Sequence, residues 1–213
     1  MKEVVKAAGK EELYKNEIRA HRAALRMVSS LFDISIGNNT HPLFLIDYQK
    51  KVERELILVC NDVLETLDTH LIPSAAAHQS KVFYWKMKGD CYRYIAELKT
   101  GAERSDAAAM TFCAYKHASD IVVKEISAAH PTRLELAVDF AVFCGEILGL
   151  PKKARIFSQN VLNAANGDLL TLKEEPYKES MRLLQLPYDM EVKSARSWMQ
   201  KVMTKKSVTV SYS

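Results

Sequence analysis

The stretch SKVFYWKMKGDCYRYIAELK, residues 80–99, decides how this chain folds. Lys86, Asp90, Arg93 and Glu97 recur within it at i, i+4, i+7 and i+11. Val82, Trp85, Gly89, Tyr92 and Ala96 form a second stripe, about a third of a turn away. Two stripes of that period belong to a helix with one charged and one apolar side. Gly89 in its middle costs about 1 kcal/mol against Ala, which points to another helix crossing closely there. Asp90 lies one turn before Arg93, where it can hold the guanidinium in one rotamer, and Tyr94 is the next residue along.

The same periodicity extends in both directions. It predicts helices over 9–33, 43–71, 78–99, 103–127, 131–148, 151–167 and 175–203. The breaks carry turn chemistry: ISIGNNTHP, LIPSAAAHQ, KTGAERSD, AAHPTR, LGLPKK and ANGDLLTLKEEP. Ser80, or the residues just before it, is the expected entry to the third helix. Pro131 and Pro151 fall near first turns, where a missing N–H costs nothing. The terminal SVTVSYS alternates like a strand but has no partner, so it reads as a frayed extension. Short connections make neighbouring helices antiparallel, so the expected fold is all-α, an antiparallel helical bundle of about seven helices.

Bulk composition agrees. The 213 residues can bury a real core, with 48% hydrophobic and 26% charged residues. Seven Gly and six Pro are few for this length, which favours long helices. A formal charge of +4 and a pI near 8.8 are too weak to imply nucleic acid. The cysteines at 60, 91, 113 and 144 show neither a CxxC spacing nor a histidine at zinc-ligand distance, and read as buried free thiols. No apolar run is long enough to span a membrane and the N-terminus lacks an apolar signal core, so the expected compartment is the cytosol. The sequon at Asn38-Asn39-Thr40 then carries little meaning. No metal and no cofactor are expected. Gly-rich phosphate loops, GxSxG and HExxH are all missing, so an enzyme has little support. His21 beside Arg22 reads as an exposed residue.

A second basic stripe lies on the first helix. Lys15, Arg19, Arg22 and Arg26 share one side, with Leu13, Ile18, Leu25 and Val28 opposite. Like charges at this spacing repel by a few tenths of a kcal/mol per pair, and this stripe has no interleaved acids. Such a stripe is often no more than a solvated face. If it opposes the charged side of residues 80–99, however, Lys15, Arg22, Arg93 and Tyr94 converge. Two arginine forks, an ammonium and a phenol suit a phosphate dianion.

Residues 80–99 also resemble the signature helix of the 14-3-3 phosphopeptide-binding family. YKNEIRAHRAALRMVSS (14–30), CNDVLETLDTHLIPSA (60–75), HPTRLELAVDFAVFCGEIL (130–148) and LKEEPYKESMRLLQL (172–186) resemble it in the family's order, with no net gap between Tyr14 and about Leu186. The resemblance implies a 14-3-3-like helical domain over residues 1–203 and a flexible tail at 204–213. It implies an adaptor, not an enzyme, which clamps, masks or bridges phosphoserine- or phosphothreonine-bearing client proteins in an amphipathic groove. Carried over by position, Lys15, Arg22, Arg93 and Tyr94 are phosphate-binding. Lys86 is a groove lysine. Val138, Val142, Leu183 and Leu186 form an apolar wall, and Glu146 is an acid near the arginines. Ala24, Val28, Tyr48, Lys51 and Glu55 match positions that face a second subunit.

The chain departs from the family pattern in four places. The family's first two helices and the start of its third have no counterpart before Tyr14, which leaves open a monomer or a homodimer of altered geometry. Asp139 stands where the family has an asparagine that both donates to and accepts from bound peptide backbone; a carboxylate only accepts. After Pro187, Met190 and Ser194 replace the family's second asparagine and a tryptophan, and a four-residue slip would restore the indole as Trp198. The tail KKSVTVSYS is basic where the family's is acidic, and its Ser207, Thr209 and Ser211 suit a basophilic kinase. Phosphorylated Ser211 would itself resemble a groove ligand, a route to self-inhibition. Two readings follow: a divergent phosphopeptide-binding adaptor, or a scaffold of the same fold that binds unphosphorylated partners. Neither nucleic acid nor a membrane is an expected partner.

Overall fold

A computed structural model describes residues 11–37 and 43–168. Those residues form six helices and, among them, no strand. They are α1 (Glu11–Gly37), α2 (Leu43–Thr66), α3 (His78–Leu98), α4 (Gly101–Glu125), α5 (Pro131–Val142) and α6 (Pro151–Asp168). Two helices end in a widened turn. α2 continues through Leu67–Leu71, where Ile72 N–H donates to Leu67 O, and then through Ile72–Ser74. α5 continues through Phe143–Ile147, where Leu148 N–H donates to Phe143 O at 3.2 Å. No described helix is long and apolar enough to cross a membrane. The helix expected over 175–203 and the tail lie outside the described residues.

The chain divides into two compact units, with the boundary between Ala114 and Tyr115. In the first, α1 and α3 both pack on α2. α2 supplies Leu56, Cys60, Val63 and Leu64, an i, i+4, i+7, i+8 stripe, and its widened turn adds Leu67 and Leu71. Ile18 enters from α1, and Met87 and Cys91 from α3. Each large aliphatic side chain buried this way contributes roughly 1.5–3 kcal/mol. Asp68 meets Lys88 at 2.6 Å and Cys60 meets Cys91, so α2 and α3 run antiparallel. Lys88 also lies over the Trp85 ring, 5.2 Å from its centroid.

The second unit is built on rings. Tyr115 of α4 meets Phe140 of α5 at 5.6 Å and Phe143 at 6.0 Å, and Phe157 of α6 closes on Phe140 at 5.5 Å. Leu134, Leu136 and Ala141 of α5 are buried beside them. The entry to α5 is fixed three ways. His130 Nδ1 accepts from Thr132 N–H at 3.2 Å, Pro131 takes the first turn, and Arg133 Nη1 donates to Ile126 O at 2.9 Å. Gly149, at φ 66°, turns the chain out of the widened segment before Pro151 starts α6.

Several expectations need correction. ISIG, read as loop, completes the last turn of α1. α3, by contrast, begins at His78 as expected, among the residues just before Ser80, and Ala77 precedes it with no capping side chain. Leu13 is exposed rather than packed with Ile18, Leu25 and Val28. His21 is not an exposed bystander: Nδ1 donates to Glu17 O at 2.8 Å and Nε2 lies 3.5 Å from Glu55.

The thiols also differ from one another. Cys60 and Cys91 are fully buried, Cys144 is half-buried and Cys113 is exposed. A hydrogen bond with Cys60 and burial push the Cys91 thiol well up, and burial raises Cys144. A thiol-specific chromogenic disulfide at pH 8 is therefore expected to modify Cys113 quickly and Cys144 slowly. Cys60 and Cys91 should react only once denaturant is added; fast reaction of all four would contradict this packing. Because the fold raises the Cys91 pKa, its contribution to stability is intact below the usual thiol range. That contribution is lost as pH rises through the folded value.

Candidate functional site

One arginine from α1 and one from α3 meet on a single carboxylate. Arg93 is 6% exposed; its Nη1 donates to Glu97 Oε1 at 2.8 Å and its Nη2 to Asp90 Oδ1 at 3.2 Å. Arg22 reaches across from α1, and its Nη1 donates to Glu97 Oε2 at 2.8 Å. Both guanidinium groups lie over the Tyr94 ring, with Cζ atoms 3.9 Å (Arg22) and 4.6 Å (Arg93) from the centroid. Lys86 Nζ donates to Asp90 Oδ2 at 2.9 Å and completes the ladder along α3. Three cations thus face two carboxylates, leaving one net positive charge before Lys15 is added. Lys15 Nζ rests over the Phe83 ring, 4.3 Å from its centroid. Lys15 faces Phe83 and Arg22 faces Tyr94, so α1 and α3 run in the same direction.

Helix geometry explains the convergence. Lys15 and Arg22 are seven residues apart, about 10.5 Å along the axis, and both face α3. Ile18, Leu25 and Val28 are drawn into the core and orient the helix. The repulsion along this stripe is relieved from outside it. Arg22 finds Glu97 on another helix, and Arg19 Nη1 donates to Asn16 Oδ1 at 2.8 Å. Glu97 was visible in sequence only as one member of a stripe; its bridging role needs the second helix. Chemically, a pair of planar forks held over an aromatic face suits a tetrahedral or planar oxyanion such as the Glu97 carboxylate it already holds.

The family model of 14-3-3 protein matches residues 11–190. The chain belongs to the 14-3-3 family. It is 45% identical over 202 residues to 14-3-3-like protein GF14-12 of Zea mays, covering 89% of this chain and 77% of that one. Against 14-3-3-like protein GF14 psi of Arabidopsis thaliana the identity is 45% over 202 residues, 89% of this chain and 79% of the relative. Against 14-3-3-like protein A of Vicia faba it is 49% over 178 residues, 83% and 68%. 14-3-3 membership supports a general role as a phosphopeptide-binding adaptor that acts on partner proteins rather than as an enzyme.

The other sites expected of a 14-3-3 protein fall as follows. Val138 and Val142 lie one turn apart on α5, both half-buried, and Asp139 beside them is half-buried too. Glu146 is exposed in the widened turn after α5. Glu97, which bridges both arginines, is a residue the resemblance had not singled out. Leu183 and Leu186 lie outside the described residues, as do Met190, Ser194 and Trp198. Of the residues matched to a subunit interface, Tyr48 is 48% exposed, and Lys51 reaches Glu55 at 4.0 Å on the surface of α2. Ala24 is half-buried and Val28, 2% exposed, is already covered within its own chain. No group of three or more candidate metal ligands occurs among the described residues.

Proposed function

We propose that this 14-3-3 protein clamps phosphoserine- or phosphothreonine-bearing segments of client proteins, with the phosphate seated on Arg22 and Arg93. The observation that carries this reading is their shared bridge. Two guanidinium groups from separate helices, both over one ring, already hold one anionic group between them. A phosphate monoester carries about −1.5 to −2 charges near neutral pH and three acceptor oxygens, which suits the two forks better than a carboxylate does. On this reading the Tyr94 hydroxyl donates to the same group. Lys15 reaches it by leaving Phe83, a contact that contributes about 0.5–1 kcal/mol at exposed sites. Membership of the 14-3-3 family suggests Val138, Val142 and Asp139, and separately Lys86, as further peptide contacts.

The test is fluorescence anisotropy with one labelled peptide, with and without its phosphate. Tighter binding of the phosphorylated form, by a hundredfold or more at about 1.5–3 kcal/mol per charged hydrogen bond, is expected. Equal affinities would favour the scaffold reading, in which unphosphorylated partners bind. The same assay on Asp139→Asn is expected to show about tenfold tighter phosphopeptide binding, because the amide both donates and accepts and carries no charge. An unchanged or weaker affinity would remove Asp139 from the groove.

A further inference from the structure

Glu97 does more than orient its neighbours, because it uses the same donors that an incoming anion needs. Its two oxygens take Nη1 of Arg22 and Nη1 of Arg93, each at 2.8 Å, and so span the gap between α1 and α3. Asp90 has a different position: it meets Arg93 at the other nitrogen, Nη2, and is also held by Lys86. We propose that Glu97 is the resting occupant of the arginine pair and that ligand binding is an exchange. The arriving oxyanion takes the two Nη1 groups, and the Glu97 carboxylate turns out to water. No covalent bond changes.

This exchange sets a threshold on ligand chemistry. A carboxylate tethered four residues from Arg93 competes at the effective concentration of a short linker, in the millimolar range or above. An Asp or Glu side chain of a passing protein brings the same charge and the same two oxygens, and must also lose the freedom of a separate molecule. It cannot displace Glu97. A phosphate brings a further oxygen and up to one more charge, and can. The arginine pair is thereby closed to the acidic side chains that cover protein surfaces and open to phosphate. The part of this proposal that concerns peptides rests on the phosphopeptide reading above; the exchange itself concerns any oxyanion.

The test uses Glu97→Gln, which keeps the shape and one accepting oxygen but removes the charge. Wild type and E97Q are titrated with inorganic phosphate, followed by the arginine side-chain NMR signals. They are then titrated with three peptides of one sequence carrying phosphoserine, glutamate or serine at the same position. Inorganic phosphate and the phosphopeptide are expected to bind E97Q about tenfold more tightly than wild type. The glutamate peptide, silent on wild type, should become measurable on E97Q, and the serine peptide should not change. Glu97→Asp, too short to reach both arginines together, should give an intermediate gain and covers the case of a poorly folded E97Q. Phosphate affinity that is unchanged, weakened or undetectable in both variants overturns the proposal. Tighter inorganic phosphate without preference for the phosphopeptide over the serine peptide leaves the exchange standing and removes the adaptor reading.

Discussion

Replacing Arg93 with alanine should sharply weaken both phosphopeptide binding and the fold in one step. The guanidinium is nearly fully buried and pairs with both Asp90 and Glu97. Removing one partner of a fully buried pair costs about 3–5 kcal/mol, since a charge is left uncompensated. Here the Asp90 and Glu97 side chains keep 16% and 27% of their surface in water. That exposure lowers the expected loss of stability to about 2 kcal/mol. For binding, the charge-assisted hydrogen bond from Arg93 Nη1 disappears at about 1.5–3 kcal/mol, a loss of roughly ten- to a hundredfold. Arg93→Lys separates the two effects. The ammonium still compensates the acids, so most of the stability remains, but a point charge cannot act as a fork, and affinity should still fall about tenfold. Urea denaturation and anisotropy on the same samples measure both. Binding by R93A within threefold of wild type would show that the arginine pair is not where phosphate sits.

The second large effect is expected at Phe143. Its ring is fully buried between Tyr115 at 6.0 Å and Phe140 at 6.2 Å, and its carbonyl accepts from Leu148 N–H in the widened turn. Phe143→Ala removes a whole ring from a site that cannot collapse easily, because its neighbours are themselves rigid rings. Such truncations cost about 3–5 kcal/mol, whereas Phe143→Leu, closer in volume, should cost about 1 kcal/mol. α5 also carries Val138, Asp139 and Val142, the residues proposed above to contact bound peptide. Hydrogen exchange on F143A should show α5 and α6 losing protection first. A denaturation midpoint unchanged from wild type would mean that the ring cluster does not hold this unit together.

Much of this was legible from residue spacing. The period of residues 80–99 gave a helix with a charged side, and Pro131 and Pro151 marked helix starts because their missing N–H groups fall where no partner is needed. Asp90 beside Arg93 was readable for the same reason, since both lie on one helix one turn apart. What local spacing could not supply was the pairing between helices. Nothing on α1 shows that Arg22, rather than Arg19 or Arg26, finds the carboxylate, because that depends on how α1 is rotated by Ile18 and Val28 in the core. His21 was misread for a similar reason: its partner Glu55 sits on α2, thirty-four residues away in sequence. The helix boundary at Gly37 was misjudged because turn-forming residues were weighed above the apolar stripe that runs through them.

The widened turns at Leu67–Leu71 and Phe143–Ile147 have a consequence for reading relatives of this chain. Each spans five residues where a regular helix would use four, so it absorbs one surplus residue and delays everything after it by about 100°. A helical wheel drawn straight through either segment places the following side chains on the wrong side. Aligned chains that differ by a single residue in these two segments can therefore share the same inward-facing set, while a one-residue gap placed anywhere else in α2 or α5 would turn the interior outward.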